Sequence, residues 1–476
     1  LEITGLAHDG RGVARHEGQV FLVRDALPGQ TVRARIVRSQ PRFAEAVTQE
    51  LLRPAPGQLP PLCPHQGQCG GCPLQVMPYE MQLHWKRRLA LDALSRIGRL
   101  DMARLEEMMA LPLASPRLTG FRNKMEFSFG QDGQGRLVLG QRERGGRRVV
   151  PTPGCVLLPA GGNEILSAVA LLAGQSNLPP YRDGAERKQS KGGRRTRKQG
   201  ERSQGFWRFL MLRQGLLAGL PRWWAVLLTS PGTAAERAAV RRMAEQLLAL
   251  CPQLATVIHE ERHTADALCT GQRRLFAISA VSADEAEAAR LTLPLGGRLF
   301  ELDATSFFQV NTEAARLLAE QALALLPPEG DGRQLLDLYC GVGAPGLLLA
   351  SGYAGLYGLE YDQRAVAAAR RNAVAAGVGH CRYDAGDAAV LLGRMGRDNG
   401  FQDALVDPPR AGMANAVLES LSLLAPERIL YISCNAATLA RDALSLGRQY
   451  TLERLAGVDL FPHTPHLECL ALWRRR

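Results

Sequence analysis

Cys434 is the residue whose position most strongly indicates chemistry. It follows an apolar run over 428–433 that predicts a buried strand, and a helical pattern begins at about Asn435. A thiol at the N-terminus of a helix lies beside unpaired N–H groups and the positive end of the helix dipole, both of which favour the thiolate. We therefore predict a reactive thiol at residue 434, against the alternative of a buried structural cysteine.

A second group of cysteines has a spacing typical of a metal or cluster site. Cys63, Cys69 and Cys72 are separated by five and then two residues, and glycines at 70 and 71 let the backbone turn tightly. A fourth ligand is needed, and Cys155 is the next cysteine in the chain. Four thiolates hold either zinc or a [4Fe–4S] cluster, and the spacing alone does not choose between them.

Acidic side chains follow several predicted strands in the C-terminal part of the chain. From Gln334 onward, strand and helix patterns alternate, which predicts a mostly parallel, doubly wound α/β sheet. Ligands bind such sheets beyond the carboxyl ends of the strands. The residues at or near those predicted ends are Asp337, Glu360, Asp387, Asp407 and Cys434.

A glycine turn after the first of these strands predicts a nucleoside cofactor. Gly341, Gly343 and Gly346 have the spacing of such turns, and Glu360 at the next strand end could accept from both ribose hydroxyls. No Lys-Ser or Lys-Thr pair follows the glycines, which excludes a P-loop. A dinucleotide fold stays open, but no acid catalyst for hydride transfer stands out, and a nucleophilic cysteine favours methyl transfer.

The preceding residues predict two further domains. Residues 1–53 alternate in short runs broken by glycine, a pattern typical of a small antiparallel barrel. We place a central domain of mixed helix and strand at 54–290 and the catalytic domain at 291–476. Residues 181–205 carry nine Lys or Arg against three Asp or Glu and almost no apolar residues, which predicts a disordered basic insertion.

The overall charge indicates the class of partner. A net charge of +12 over 476 residues suits a polyanion, nucleic acid before an anionic membrane, and half of the excess lies in the basic insertion. No apolar run approaches the ~20 residues that span a bilayer, and no signal-peptide pattern is present. We therefore expect no membrane partner, a cytoplasmic location and a monomer.

Five motifs together resemble the RNA uracil-5 methyltransferases, in that family's order and at comparable spacing. They are Phe308-Gln309-Val310-Asn311, Asp337 through Gly343, Asp407-Pro408-Pro409-Arg410, Ser433-Cys434-Asn435 through Asp442, and Phe461 through Glu468. The tract from Gly5 to Arg15, with 26–30 after it, resembles the TRAM domain, an OB-like module that binds RNA. With the four cysteines, this tract resembles the 23S rRNA branch of the family, whose members carry a TRAM domain and a [4Fe–4S] cluster.

The resemblance implies a fold and a set of residue roles. The fold is a class I, Rossmann-like methyltransferase domain with an N-terminal OB-like barrel and a central α+β domain. Cys434 is implied as the nucleophile that adds to C6 of uracil, and Glu468 as the base that removes the C5 proton. The implied S-adenosylmethionine contacts are Gln309, Tyr339, Ala344, Glu360, Asp387 and Asp407, although Ala344 stands where the family often has a polar residue. The implied cluster ligands are Cys63, Cys69, Cys72 and Cys155.

The function expected from this resemblance is S-adenosylmethionine-dependent methylation of uracil C5 in RNA, with 23S rRNA as the substrate. A tRNA uracil-5 methyltransferase and a non-catalytic iron–sulfur RNA-binding protein are the alternatives. An amino-methyltransferase would instead have Asn-Pro-Pro-Tyr where this chain has Asp-Pro-Pro-Arg at 407–410, and it would leave Cys434 without a role.

Overall fold

The computed structural model of the protein describes residues 1–182, 205–266, 268–395 and 400–476. Nearly all of the predicted basic insertion at 181–205 lies outside the described residues. The described chain forms three β-sheets of five, nine and seven strands. Within these residues, no helix combines the length and the apolar character needed to cross a membrane.

The N-terminal sheet is the small barrel that the sequence predicted. Its strands are β1 (Gly5–Leu6), β2 (Gly12–His16), β3 (Gln19–Arg24), β4 (Thr31–Ser39) and β5 (Phe43–Arg53), in the order β1-β2-β3-β5-β4. Backbone bonds from Ile3 N to Gln30 O and from Val32 N to Leu1 O, both 2.9 Å, close the barrel. One detail differs from the prediction, because β3 and β5 pair in parallel. Side chains alternate in both kinds of strand pair, so the pattern did not distinguish them.

The central part of the chain builds a mixed sheet covered by helices. Its elements are α1 (Tyr79–Arg96), α2 (Met102–Met108), β6 (Lys124–Gln131), β7 (Leu137–Arg142), β8 (Val149–Pro151), α3 (Gly162–Gln175), β9 (Trp207–Leu217), β10 (Leu220–Thr229), α4 (Ala234–Leu250), β11 (Leu254–Glu261), β12 (Arg273–Ser279), α5 (Glu285–Ala288), β13 (Arg290–Leu295) and β14 (Arg298–Asp303). The strand order is β12-β11-β10-β9-β6-β7-β8, and β13 joins it beside β9, where Thr292 pairs with Leu216. The β13–β14 hairpin therefore belongs to this sheet, although it lies beyond the predicted boundary at 290.

The C-terminal sheet is the doubly wound sheet that the alternating pattern predicted. Its elements are α6 (Thr312–Leu325), β15 (Gln334–Leu338), α7 (Ala344–Leu349), β16 (Gly355–Glu360), α8 (Gln363–Ala375), β17 (Cys381–Ala385), α9 (Ala388–Gly393), β18 (Phe401–Val406), α10 (Asn415–Leu424), β19 (Arg428–Ser433), α11 (Ala436–Leu446), β20 (Tyr450–Val458) and β21 (Glu468–Arg475). The order is β17-β16-β15-β18-β19-β21-β20, and the first five strands are parallel. The last strand, β21, lies antiparallel between β19 and β20.

Helix α1 packs on this C-terminal sheet although it lies within the predicted central domain. Leu91 and Leu94 are buried in the same apolar core as Leu336 of β15 and Leu439 of α11. Burial of such side chains contributes roughly 1.5–3 kcal/mol each. The helix therefore anchors the front of the chain to the sheet that carries the motifs.

A buried ion pair fixes α1 to the segment between β20 and β21. Lys86 Nζ donates to Asp459 Oδ1 at 2.6 Å, and neither side chain is exposed. The same ammonium donates to the carbonyl of Phe461 at 2.9 Å, and the Asp459 carboxylate also accepts from the Tyr79 hydroxyl at 2.9 Å. Because every polar group of this network has a partner, the desolvation cost of the two charges is offset.

Replacing Lys86 with Met should destabilise the protein strongly, because Asp459 would remain buried and charged without a counter-ion. We expect a loss of about 3–5 kcal/mol, measured as a lower urea midpoint in circular dichroism. Arg88→Met in the same helix is the matched control. It removes two pairs of the half-exposed Arg88 side chain, with Asp92 and with Glu106, each of which contributes less than about 1 kcal/mol. Equal losses in both variants would contradict the role given to Lys86.

Candidate active site

Strand pairing brings Cys434 and Glu468 together. In the antiparallel pairing of β19 with β21, Ser433 lies opposite Cys469, so Cys434 leaves β19 where Glu468 begins β21. All six residues of β19 are buried, and Glu468 itself is 3% exposed. The thiol and the carboxylate predicted from distant motifs are therefore neighbours at one end of the sheet.

The helix after Cys434 begins where the sequence predicted, but side chains of the protein itself cap its N-terminus. Asn435 is the N-cap of α11, and its side chain accepts from Ala437 N at 3.1 Å. Ser433 Oγ likewise accepts from Asn435 N at 3.2 Å. These bonds satisfy N–H groups that would otherwise be free to stabilise a thiolate.

The electrostatics of the site correct the prediction that Cys434 favours the thiolate. Burial and the neighbouring Glu468 carboxylate raise the pKa of Cys434 to about 11, and Asp407 adds to the rise, whereas Arg410 opposes it. Burial also raises the pKa of Glu468 to about 8, with a contribution from Asp407. In the protein alone, desolvation and two nearby carboxylates therefore outweigh the helix dipole.

The loop from Asp407 to Met413 carries two further charged groups of the site. Burial raises the pKa of Asp407 to about 7. The loop is bound to α11, because Asn435 Nδ2 and Thr438 Oγ1 donate to the carbonyl of Arg410 at 3.1 and 3.4 Å. This anchoring keeps the Arg410 side chain close to Cys434.

Asp442 holds the other end of that loop, a role that the sequence did not reveal. Its buried carboxylate accepts from Met413 N at 2.9 Å and from the Tyr431 hydroxyl at 2.7 Å. At Gly412, a Cβ would press against this carboxylate, and the backbone φ of +75° also favours glycine. Asp442 is the last residue of the motif that begins at Ser433. The spacing of an acidic residue on a helix does not predict that its side chain is buried, so the sequence contained no signal for this role.

A second group of residues surrounds the glycine turn between β15 and α7. Glu360, at the end of β16, accepts from Gly341 N at 3.1 Å and from Asp362 N at 2.9 Å. Tyr339 adopts a left-handed backbone with φ of 63°, a conformation that clusters at ligand sites. The turn, the tyrosine and the carboxylate therefore face one edge of the sheet.

Asp337 adds an unsatisfied carboxylate oxygen to this group. Its Oδ2 is buried without a hydrogen-bond partner among the residues that the structure describes. Burial raises the pKa of Asp337 well above its usual value, Asp407 and Glu360 add to the rise, and Gly346 N opposes it. A Cβ at Gly346 would collide with this carboxylate, so the third glycine of the turn is required there.

The remaining predicted cofactor residues have different environments. Asp387 is the N-cap of α9, accepting from Val390 N at 3.1 Å, and its charge contributes to the raised pKa of Tyr339. Gln309 lies on the loop before α6, where Asn123 Nδ2 donates to its carbonyl at 2.9 Å. Ala344 is 5% exposed and belongs to the apolar core, which leaves its side chain little access to a ligand.

The four predicted cluster cysteines line one small cavity. Cys63, Cys69, Cys72 and Cys155 surround a volume of about 50 Å³, together with Arg122. No group of three or more His, Cys, Asp or Glu side chains in the described ranges has the arrangement of a metal site. Burial, with the nearby thiols of Cys155 and Cys69, raises the pKa of Cys72 to about 12. The donor set suits a metal that binds thiolates, because a cation would offset this mutual repulsion.

The segment that precedes Glu468 connects the cysteine cavity to the site. Leu74, two residues after Cys72, donates its N–H to the carbonyl of His463 at 2.9 Å. His463 has a left-handed backbone, and its N–H donates to Gln82 Oε1 at 2.8 Å. Burial lowers the pKa of His466 to about 4, with contributions from Arg410 and other nearby cations, so this imidazole is neutral at pH 7.

Known proteins resemble the chain over its whole length. A family model for tRNA (uracil-5-)-methyltransferase matches residues 391–476, and a TRAM domain model matches residues 1–48. An RNA methyltransferase of Nitratidesulfovibrio vulgaris is 38% identical over 99% of this chain and 95% of its own length. One of Geobacter sulfurreducens is 32% identical over 99% of this chain and 89% of its own.

A solved structure shares the fold. The crystal structure of Pyrococcus abyssi tRNA (uracil-54, C5)-methyltransferase in complex with S-adenosyl-L-homocysteine superposes with a TM-score of 0.71 at 23% identity, over 99% of each chain. The seven-stranded C-terminal sheet is thus that of a class I methyltransferase, and a barrel and a mixed central sheet precede it in the chain. With the relatives above, this fold defines an RNA methyltransferase.

The chain belongs to the RNA uracil-5 methyltransferase family and carries that family's TRAM domain. It is therefore an enzyme, which removes the non-catalytic alternative.

The pH dependence of Cys434 alkylation tests the electrostatics of the site. Above pH 8 the Glu468 carboxylate is ionised and raises the pKa of the thiol, so Glu468→Gln should lower that pKa. At pH 9, a decrease of one unit from a pKa of about 11 raises the thiolate fraction about tenfold. Iodoacetamide labelling of the Cys434 peptide, followed by mass spectrometry, should be faster in Glu468→Gln and slower in Arg410→Ala.

Glu453→Gln, which alters an exposed carboxylate of β20, is the control for that measurement. Identical labelling curves for all variants would mean that neither Glu468 nor Arg410 acts on the thiol.

Proposed function

We propose that this protein methylates C5 of a uridine in RNA through a transient covalent bond from Cys434 to C6 of the base. The observation that carries the proposal is the pairing of β19 with β21, which makes a thiol and a buried carboxylate neighbours. Uracil C5 is a poor nucleophile, and addition of a thiolate to C6 converts the ring to an enolate whose C5 is reactive. S-adenosylmethionine would supply the methyl group that C5 accepts.

Cys434 would therefore act twice. Its sulfur first forms the bond to C6, and the electron pair of the C5–C6 double bond moves into the enolate. After methylation, the C5 proton leaves to a base, the double bond forms again, and the C6–S bond breaks to release the thiolate. Because the pKa of Cys434 is about 11 before RNA binds, the Arg410 cation is the group that supports the thiolate during attack.

Glu468 fits the role of the base that removes the C5 proton. Efficient general bases have pKa values near the working pH, and burial brings the pKa of this carboxyl to about 8. Because Glu468 is a neighbour of Cys434, it would lie at the ring edge that carries C5 once C6 is bound to the sulfur. Asp407, whose pKa burial raises to about 7, would orient the uracil ring or the amine of the methionine moiety.

The methyl donor would bind at the edge that carries the glycine turn. The Glu360 carboxylate at the end of β16 suits the ribose hydroxyls, and Tyr339 and Asp387 lie beside it. The buried carboxyl of Asp337, whose Oδ2 has no hydrogen-bond partner among the described residues, lies at the same edge at the end of β15. Gln309 would reach this edge from the loop before α6, whereas Ala344 would contribute through its backbone because its side chain is buried.

We propose 23S rRNA as the substrate and a [4Fe–4S] cluster as the occupant of the cysteine cavity. The support is the combination of a TRAM domain with four thiols around one cavity, a combination that resembles the rRNA branch of the family. The cluster would order the segment from Cys63 to Leu74 and, through Leu74, the loop before Glu468. A tRNA substrate is the second candidate, because the matching family model and the similar solved structure are named for tRNA.

Glu468→Gln should trap the covalent intermediate, because the C5 proton cannot leave and the C6–S bond cannot break. Incubated with S-adenosylmethionine and labelled RNA, this variant should give a protein–RNA band that survives denaturing electrophoresis. Cys434→Ala should give no band and no methylation yet bind the methyl donor in calorimetry. Transcripts of 23S rRNA fragments and of tRNA, run in parallel, report which RNA is the substrate.

The absence of a stable band in Glu468→Gln would refute the role of the base, and methylation by Cys434→Ala would refute the covalent route. If the variant traps tRNA but not rRNA, the substrate is tRNA and the proposal of 23S rRNA is wrong.

Protein purified without oxygen should contain iron and show broad absorbance near roughly 400 nm, as a thiolate-bound cluster does. Cys155→Ser should lose iron and absorbance, whereas Cys251→Ser, in the core of the central sheet, should retain both. A colourless wild-type protein that contains zinc would overturn the cluster in favour of a zinc site.

A further inference from the structure

A cleft at the opposite end of the C-terminal sheet has no role in the chemistry above. It has a volume of about 380 Å³ and lies between the α1–α2 connection, the C-terminal turn of α11 and the last residues of β21. Cys434 precedes the first turn of α11, so the length of that helix, about 16 Å, separates the cleft from the thiol. Ligand pockets are typically this size or larger.

Arginines dominate the charge of this cleft. Four line it, Arg99, Arg104, Arg448 and Arg476, against one acid, Asp101. The carboxylate of Asp101 is already used, because it accepts from Arg104 N at the start of α2. None of the four guanidinium groups is in an ion pair within the part of the chain that the structure describes. The cleft therefore carries uncompensated positive charge, which suits a phosphate.

The guanidinium groups differ in how firmly they are held. Arg104 donates to the carbonyl of Leu452 at 3.0 Å, and Arg476 donates to the carbonyl of Gly447 at 2.9 Å. Both therefore stand in fixed positions on the wall of the cleft. Arg99 and Arg448 are exposed and make no side-chain hydrogen bond to the described residues, so their donors are available to a ligand.

The floor of the cleft is apolar, and one residue of its wall has a donor without a hydrogen-bond partner among the described residues. Leu100 and Met108 line it as half-buried side chains, with Trp473 in the wall. Trp473 is 1% exposed, and its indole N–H has no hydrogen-bond partner among the described residues. A buried N–H without a partner is costly, so a ligand with an acceptor at this wall would be favoured.

We propose that this cleft binds one nucleotide of the RNA substrate at a distance from the methylated uridine. The base would lie on the apolar floor with an acceptor toward Trp473, and its phosphate would bind Arg99 and Arg448. A free nucleotide has the same chemistry, but the chain is an RNA methyltransferase and RNA is the polyanion it must hold. The inference rests on RNA being the substrate and is independent of the reaction at C5.

The test compares two double variants of equal charge. Arg99→Ala/Arg448→Ala alters the cleft. Arg242→Ala/Arg273→Ala removes two exposed arginines, one on α4 and one on β12, that are in no described ion pair. The probe is a fluorescein-labelled single-stranded 15-nucleotide oligouridylate, followed by anisotropy without the methyl donor over a range of salt. The cleft variant should lose about tenfold in affinity, and its salt slope should fall by about 0.7, the value for one phosphate contact on a single strand.

The control pair should change affinity less than about twofold at the same salt. Equal losses in the two pairs would mean that only general charge is involved, and this would overturn the proposal. Uridine 5′-monophosphate, titrated in calorimetry, separates the two sources of the nucleotide. Tight binding of the free nucleotide that the cleft variant abolishes, with unchanged oligouridylate affinity, would assign the cleft to a free ligand instead.

Photo-crosslinking gives a second measurement that does not depend on a variant. A 4-thiouridine oligonucleotide should crosslink to peptides around Leu100 or Trp473 in addition to the active site, and crosslinks confined to the active site would overturn the proposal. In turnover, the cleft variant should raise KM for RNA and leave kcat unchanged. Failure of the uracil chemistry would instead abolish kcat, so the two failures are distinguishable.

Discussion

The site depends on the insertion of β21, antiparallel, between β19 and β20. This single topological step brings the start of the last strand beside the end of β19, and it makes Glu468 the neighbour of Cys434. In a sheet with parallel strands only, the edge at the carboxyl ends of the strands contains the last residues of the strands and none of their first residues. The antiparallel strand therefore adds a carboxylate to an edge that already carries the thiol and the Asp407 loop.

Burial of that carboxylate sets the electrostatic character of the edge. Glu468 and Asp407 both have pKa values raised toward neutrality, and Cys434 is raised above its usual value. Because the pKa values of the two carboxyl groups are about 8 and about 7, a small change in their surroundings strongly changes the fraction that is ionised. Under the proposed mechanism, a nucleobase that entered between them, with Arg410 at the side, would be such a change.

The same edge is held in place by contacts from far along the chain. The Lys86–Asp459 pair fixes the start of the segment before Glu468, and Leu74 and Gln82 bind the backbone of His463 within it. Because Leu74 follows Cys72 closely, order in the cysteine cavity and order in the catalytic segment are physically connected. A small bound group at the cavity would therefore stabilise a loop that it does not touch.

The sequence by itself predicted which residues carry chemistry, and it determined on which kind of element they lie. The periods of strand and helix placed Cys434 and Glu360 at strand ends, and the five motifs predicted the family, because both kinds of information are local. The tertiary structure alone decided the parallel pairing of β3 with β5, the packing of α1 on the C-terminal sheet and the burial of Ala344. It also reversed the expected direction of the Cys434 pKa shift, because desolvation and nearby carboxylates outweigh the helix dipole. Each of these depends on which distant residues remove water from a group, and a local pattern does not contain that information.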